Sequence, residues 1–155
     1  PSAETLLLRK LPTLTDSFTY ILLDCPPSLG LLTVNSLTAC QSVLIPMQCE
    51  YFAMEGLTLL LETVRKIRTR FNPNLTVEGI VLTMFDRRTV LAREVRAEID
   101  KVFGDLVFDT LITKSVRLEE SPAHRASIFT HAPESSGAYE YYRLCEEVLQ
   151  RVGSD

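Results

Sequence analysis

The stretch Tyr20-Ile21-Leu22-Leu23-Asp24-Cys25-Pro26-Pro27-Ser28-Leu29-Gly30 decides how the chain is read. Its consecutive apolar residues show no alternation, which predicts a strand buried on both faces, the usual state of a central strand in a parallel sheet. Asp24 then falls at the carboxyl end of that strand, where open α/β sheets bind their ligands. Pro26 and Pro27 cannot continue a ladder, so the chain leaves the sheet here, and Gly30 lets the loop bend. An acid held by a stiff loop at a strand end is suited to holding Mg²⁺ beside a phosphate. It is equally suited to being a helix cap or a turn residue, and the stretch alone leaves both readings open.

Outward from it, helical and strand patterns alternate. Residues 2–11 predict a short helix with Ser2 as N-cap, a stripe of Leu6, Leu7 and Leu11, and Pro12 as its stop. A helix over 31–40 follows, with Leu31, Val34 and Leu37 on one face, and then a short buried strand, Ser42 to Ile45, stopped by Pro46. A long helix runs from Phe52 or Met54 to Arg70, its positions Leu57, Leu60, Leu61, Val64, Ile67 and Phe71 keeping the spacing of a helix packed on a sheet. Asn72-Pro73-Asn74 breaks it. Residues 77–85 predict a third strand around Ile80, Val81, Leu82 and Met84. A helix over 90–103 presents Leu91, Val95, Ile99 and Val102 and closes on Gly104. Residues 106–112 predict a fourth strand, 114–135 an irregular segment with a helical turn near 121–125, and 137–152 a last helix with Tyr142, Cys145, Leu149 and Val152 facing inward. The alternation defines an α/β architecture with a mostly parallel sheet flanked by helices.

The 155 residues suit a single domain with a sizeable core. With 16 basic and 20 acidic residues the net charge is −4, so binding to nucleic acid requires a local basic patch. Arg87, Arg88, Arg93 and Arg96 cluster after the third strand, and Lys114, Arg117 and Arg125 lie in the irregular segment. On one face, these two groups would form a phosphate-binding patch. Arg65, Lys66, Arg68 and Arg70 instead suit the dipole at a helix end. The four cysteines, Cys25, Cys40, Cys49 and Cys145, form no CxxC pair and read as buried reduced thiols. His124 and His131 have no acid–nucleophile constellation around them, and Tyr139, Tyr141 and Tyr142 read as packing residues. No membrane span and no signal peptide are expected.

Read in full, the run DCPPSLGLLT (24–33), followed by PMQCEYFAMEGL (46–57), resembles the ParA/Soj family of chromosome- and plasmid-partitioning ATPases. GIVLTMFDRRT (79–89), SVRLEESPAH (115–124) and PESSGAY (133–139) agree with it in order and spacing. The resemblance implies a Rossmann-like P-loop NTPase fold that binds Mg²⁺ and ATP, forms a homodimer, binds DNA nonspecifically and hydrolyses ATP under stimulation by a ParB-type partner, in the cytoplasm on the nucleoid. It makes Asp24 the Walker B acid that holds Mg²⁺ through water, and Cys25 to Gly30, with Pro26, the loop that senses the γ-phosphate. Met84 and Asp86 match positions near the nucleotide base, as do Thr113 and Ser115, where relatives usually carry Pro and Asn. Glu50, Glu55 and Gly56 match the face of the ATP sandwich dimer, and Arg117 and Arg93 the DNA-binding surface. For Asp86 a loop acid, and for Glu50 and Glu55 a solvated helix start, are the plainer readings.

One element of the family pattern is missing. The glycine-rich loop K-G-G-x-G-K-[TS] cradles phosphate with backbone amides and lysines. Here the six glycines, at 30, 56, 79, 104, 137 and 153, are never closer than sixteen residues, and none precedes a lysine. The expectation is therefore the C-terminal part of such an ATPase, inactive and without bound Mg²⁺ or ATP by itself, with residues 21–23 left as an apolar sheet edge. A truncated paralogue acting as an interaction module is the first alternative. A MinD-like positioning ATPase is the second, disfavoured because residues 146–155 lack the basic amphipathic helix of a membrane anchor.

Overall fold

The computed structural model describes residues 2–50 and 53–153. The chain divides into two compact units, one formed by Pro1–Val43 with Glu55–Val77 and the other by Leu44–Met54 with Glu78–Asp155. The fold is α/β, with a parallel sheet flanked by helices.

In the first unit, α1 (Leu6–Lys10) lies between 3-10 turns and packs on α2 (Leu31–Ala39). Asn35, buried in α2, ties them: its Nδ2 donates to the carbonyls of Ala3 and Leu31, and its Oδ1 accepts from the N–H of Leu7. Ser2 makes no side-chain cap bond, and α1 ends at Lys10, followed by the second turn with Pro12 in it. The core joins Leu37 of α2 to Val64 and Ile67 of α3 (Ala53–Arg70) and to Leu75, with Phe71 packed against them. The stripe predicted for α3 thus faces inward as its 3/4 spacing requires. Asn72 ends α3 and donates to the carbonyls of Leu37 and Cys40, covering the open end of α2.

The predicted strand at 20–23 does not form. Residues 20–26 have no regular structure; Leu22 is 94% exposed and Tyr20 58%. Four apolar residues favour an extended backbone, but a strand exists only where a neighbour supplies donors and acceptors. Among the described residues none pairs with this stretch.

In the second unit the strands do pair. β1 (Ser42–Gln48) lies beside β2 (Thr76–Thr83), the ladder beginning in the first unit, where the N–H of Thr76 donates to the carbonyl of Gln41. Pro46 does not stop β1: it is exposed within an edge strand, where a missing N–H costs no ladder bond. On the other side of β2 runs the segment 107–113, attached by parallel bridges Ile80↔Val107 and Phe85↔Thr113. From 107 to 113 is one residue more than from 80 to 85. The extra residue disrupts the ladder as a bulge does, so the predicted fourth strand is broken. Gly79 is obligatory beside it: at φ +154°, a Cβ there would stand 2.5 Å from Phe108 Cε2 and 2.6 Å from the carbonyl of Leu106.

Helix α4 (Val90–Phe103) starts on Thr89, whose hydroxyl accepts from the N–H of Ala92, and ends on Gly104 at φ 49°. Its buried residues are Ala92 and Ile99, while Leu91 and Val102 are exposed. Two short helices, α5 (Val116–Glu120) and α6 (Ile128–His131), occupy the segment predicted as irregular. Helix α7 (Ser136–Val152) reverses the predicted facing. Tyr142, Leu149 and Cys145 are exposed and Val152 is 39% exposed, whereas Leu144 joins the core of Val81, Phe108 and Ile112, with Val148 packed against it.

Candidate functional site

The broken ladder explains the facing of α7. Where 107–113 bulges from β2, the N–H groups of Asp109 and Thr110 instead reach the two carboxylate oxygens of Glu147, at 2.8 and 2.9 Å. Glu140 does the same one segment further, accepting from the N–H of Thr113 at 2.8 Å and its hydroxyl at 2.7 Å. Arg151 donates to the carbonyls of Glu78, Asp105 and Val107, pairs with Glu147, and lies 3.8 Å over the ring of Phe108. These three side chains carry no motif. The signal that could have found them is their i, i+7 and i, i+11 spacing on one side of the helix. Burial pushes the Glu147 carboxyl up, but its bonds from Thr110, Asp109 and Arg151 win, and it titrates below the usual 4.5.

With the segment so held, two loops meet at the carboxyl ends of β2 and 107–113. Met84 turns the chain at φ 50°, and Phe85 exchanges backbone bonds with both neighbours of Thr113: its N–H donates to Ile112 and its carbonyl accepts from Lys114. Met84, Asp86, Thr113 and Ser115 are thereby placed on two adjoining loops. Asp86 is bound by Arg88 through two side-chain bonds, 2.9 and 2.8 Å, and through the Arg88 N–H at 3.0 Å. The Arg88 side chain first, then its backbone N–H, and more weakly Lys114 hold the Asp86 carboxyl down at about 2. Thr113 has its N–H and hydroxyl occupied by Glu140, and Ser115 caps α5 with its backbone only.

Members of the two basic groups follow two paired segments, while Arg96 pairs with Asp100 on α4 at 2.6 Å. Arg87, Arg88 and Arg93 follow Phe85, and Lys114 and Arg117 follow its bridge partner Thr113. Arg93 donates to the carbonyl of Arg87 at 2.9 Å, and Arg117, 63% exposed, pairs with Glu120 at 3.1 Å.

The remaining predicted residues belong to other segments. In the first unit, Asp24 and Pro26 are exposed on the unpaired stretch. Glu55 and Gly56 are exposed in the first turn of α3, and a Cβ on Gly56 would meet nothing within 4 Å. Glu50, in the second unit, is exposed after β1; Tyr51 and Phe52 of the same block lie outside the described residues. No group of three or more His, Cys, Asp or Glu among the described residues could hold a metal ion. Asp24 offers a single carboxylate, and Mg²⁺ beside a nucleotide is held by one or two carboxylates together with phosphate oxygens and water, so among the described residues it could supply one ligand of such a site. The cysteines are also not all buried. Cys25 is exposed on the unpaired stretch and Cys145 on the outward side of α7, while burial raises the thiol pKa of Cys40 and Cys49.

Comparison with known proteins gives this geometry a context. A family model described as an AAA domain matches residues 1–77. The chain is 46% identical over 150 residues to the chromosome-partitioning ATPase Soj of Treponema pallidum, covering 97% of this chain and 59% of that protein. It is 43% identical over 134 residues to the chromosome partitioning protein ParA of Caulobacter vibrioides, covering 86% of this chain and 50% of that protein. Among solved structures, the cobyrinic acid a,c-diamide synthase of Mycobacterium smegmatis with bound ADP and magnesium superposes with a TM-score of 0.80 at 30% identity, over 99% of this chain and 55% of that one. The chain thus spans about half the length of the relatives it matches. Its fold is that of the P-loop NTPases. Within that class it belongs to the ParA/Soj family of partitioning ATPases. No helix among the described residues is long and apolar enough to cross a membrane.

Proposed function

We propose that the chain serves chromosome or plasmid partitioning as the base-facing and DNA-facing portion of a ParA/Soj ATPase domain. The observation that supports this best is the junction of Met84–Asp86 with Thr113–Ser115, since open α/β sheets bind ligands at the carboxyl ends of their strands. In this reading Met84, Asp86, Thr113 and Ser115 border the nucleotide base. Arg117 and Arg93 meet DNA phosphates, and Glu50, Glu55 and Gly56 lie in a homodimer face. Asp24 and Pro26 contribute to a site for Mg²⁺ and ATP that other polypeptide completes. The intact protein hydrolyses ATP under stimulation by a ParB-type partner and works in the cytoplasm on the nucleoid. This chain alone does not hydrolyse ATP, because its scattered glycines form no phosphate-cradling loop.

Titration calorimetry with ATP and Mg²⁺ tests the reading, together with binding to a duplex of random sequence. The expected result is DNA binding that ATP leaves unchanged and no measurable ATP binding. Tight ATP binding by this chain alone would refute the account of Asp24. The unpaired apolar stretch with Leu22 exposed favours a second reading, an interaction module completed by a strand of another chain. A stable complex with a full-length relative, without any gain in ATP hydrolysis, would select it.

A further inference from the structure

Two histidines without a role in ATP chemistry lie beside an arginine assigned to DNA. His124, in the turn after α5, and His131, the last residue of α6, stack with ring centroids 4.7 Å apart and planes 21° apart. Oε2 of Glu120 accepts from Nη1 of Arg117 at 3.1 Å, and the same oxygen lies 3.7 Å from Nε2 of His131. That second distance is too long for a hydrogen bond but short enough for an ion pair. Nε2 of His131 is itself buried without a hydrogen-bond partner. The charged and titratable groups grouped here are Glu120 and Arg117 of α5 and His124 of the turn; the first turn of α7, which also packs on α6, carries no acid.

One carboxylate oxygen therefore stands between two cationic partners, one permanent and one that exists only when His131 is protonated. With a neutral imidazole, Glu120 remains with Arg117. An imidazolium draws Oε2 toward the orphaned nitrogen, and the hold on Arg117 weakens. We propose that His131 is a positioning residue that acts through Glu120 to free Arg117 for the phosphate backbone of DNA as pH falls. Histidine is suited to this because its charge ordinarily changes between about pH 5 and 8. The inference rests on the DNA-binding reading of Arg117 and adds a regulation to it.

The test uses the full chain, a labelled random-sequence duplex and constant ionic strength, with affinity followed from about pH 8 to about pH 5.5. Wild type should bind more tightly at the acid end by about two- to five-fold, the factor that release from an exposed ion pair supplies. His131→Gln should lose this gain, and His124→Gln should keep it. Glu120→Gln should bind at pH 8 as tightly as wild type does in acid, and Arg117→Ala should be weak throughout. An unchanged profile in His131→Gln, or unimproved binding of Glu120→Gln at pH 8, would overturn the proposal. A DNA-free readout separates the two claims. In NMR titrations the Arg117 Nε–H resonance should follow the protonation of His131 in wild type and ignore it in Glu120→Gln. Absence of that coupling sinks the positioning role. Coupling without DNA binding at any pH instead removes the DNA reading of Arg117, and the regulation of DNA binding falls with it.

Discussion

Removing the Glu147 carboxylate should detach α7 from the segment it holds. Glu147 is 17% exposed on its side chain and accepts from two consecutive backbone N–H groups that the bulged ladder cannot satisfy. A hydrogen bond to a charged group contributes about 1.5–3 kcal/mol. Since Asp109 is exposed and Thr110 part-buried, the low end applies to both, and Glu147→Ala should cost about 3 kcal/mol. Glu147→Gln, whose amide oxygen can still serve one donor, should cost about half of that. For a chain of this size the alanine variant should melt about 6–12 °C lower. Tyrosine fluorescence in urea is a suitable assay, because the chain has no tryptophan and three of its five tyrosines, Tyr139, Tyr141 and Tyr142, lie in α7. The pH dependence has a definite sign. The folded carboxyl titrates below its ordinary 4.5, so its contribution is complete above that value and is lost as pH falls through the lower folded value. The gap between wild type and Glu147→Gln should therefore close on acidification from 4.5 downward. A loss below about 0.5 kcal/mol, or one no larger than that of the control Glu146→Ala, whose half-buried side chain pairs with Arg143 of the same helix, would refute this account of α7.

Two glycine substitutions should act in opposite directions. Gly79→Ala forces a Cβ against Phe108 and the Leu106 carbonyl at a positive φ, and should cost more than about 3 kcal/mol, read as a collapse of the urea midpoint. A near-neutral result would mean that β2 and 107–113 are not packed so closely. Gly56→Ala, in open space within a helix, should stabilise this chain by about 0.5–1 kcal/mol. In a complete ATPase the same change should weaken the nucleotide-dependent dimer, measured by light scattering, and an unaffected dimer would remove Gly56 from that interface.

Much of the fold was legible because the relevant forces are local. The period of α3, the Gly104 stop of α4 and the apolar centre of β2 are each set by residues within a turn or two of one another. The block resemblance carried the family. α7 was misread for a specific reason. It offers an apolar stripe and a side of Glu140, Glu147 and Arg151, and periodicity favours the first as core. Unpaired amides 27 to 38 residues away made the second side the one that docks.

The sequence by itself determined the alternation of helical and extended stretches, to which family the chain belongs, and that no glycine-rich loop lies within it. Tertiary structure decided which extended stretches become strands and which helix face turns inward. Tyr20 to Leu23 have the composition of a central strand and lie unpaired, whereas the bulged and half-polar segment 107–113 is held in place. The reason is the same in both cases. A backbone N–H or carbonyl is satisfied only by the partner that reaches it, and that partner is a property of three-dimensional arrangement rather than of the residue that carries the group.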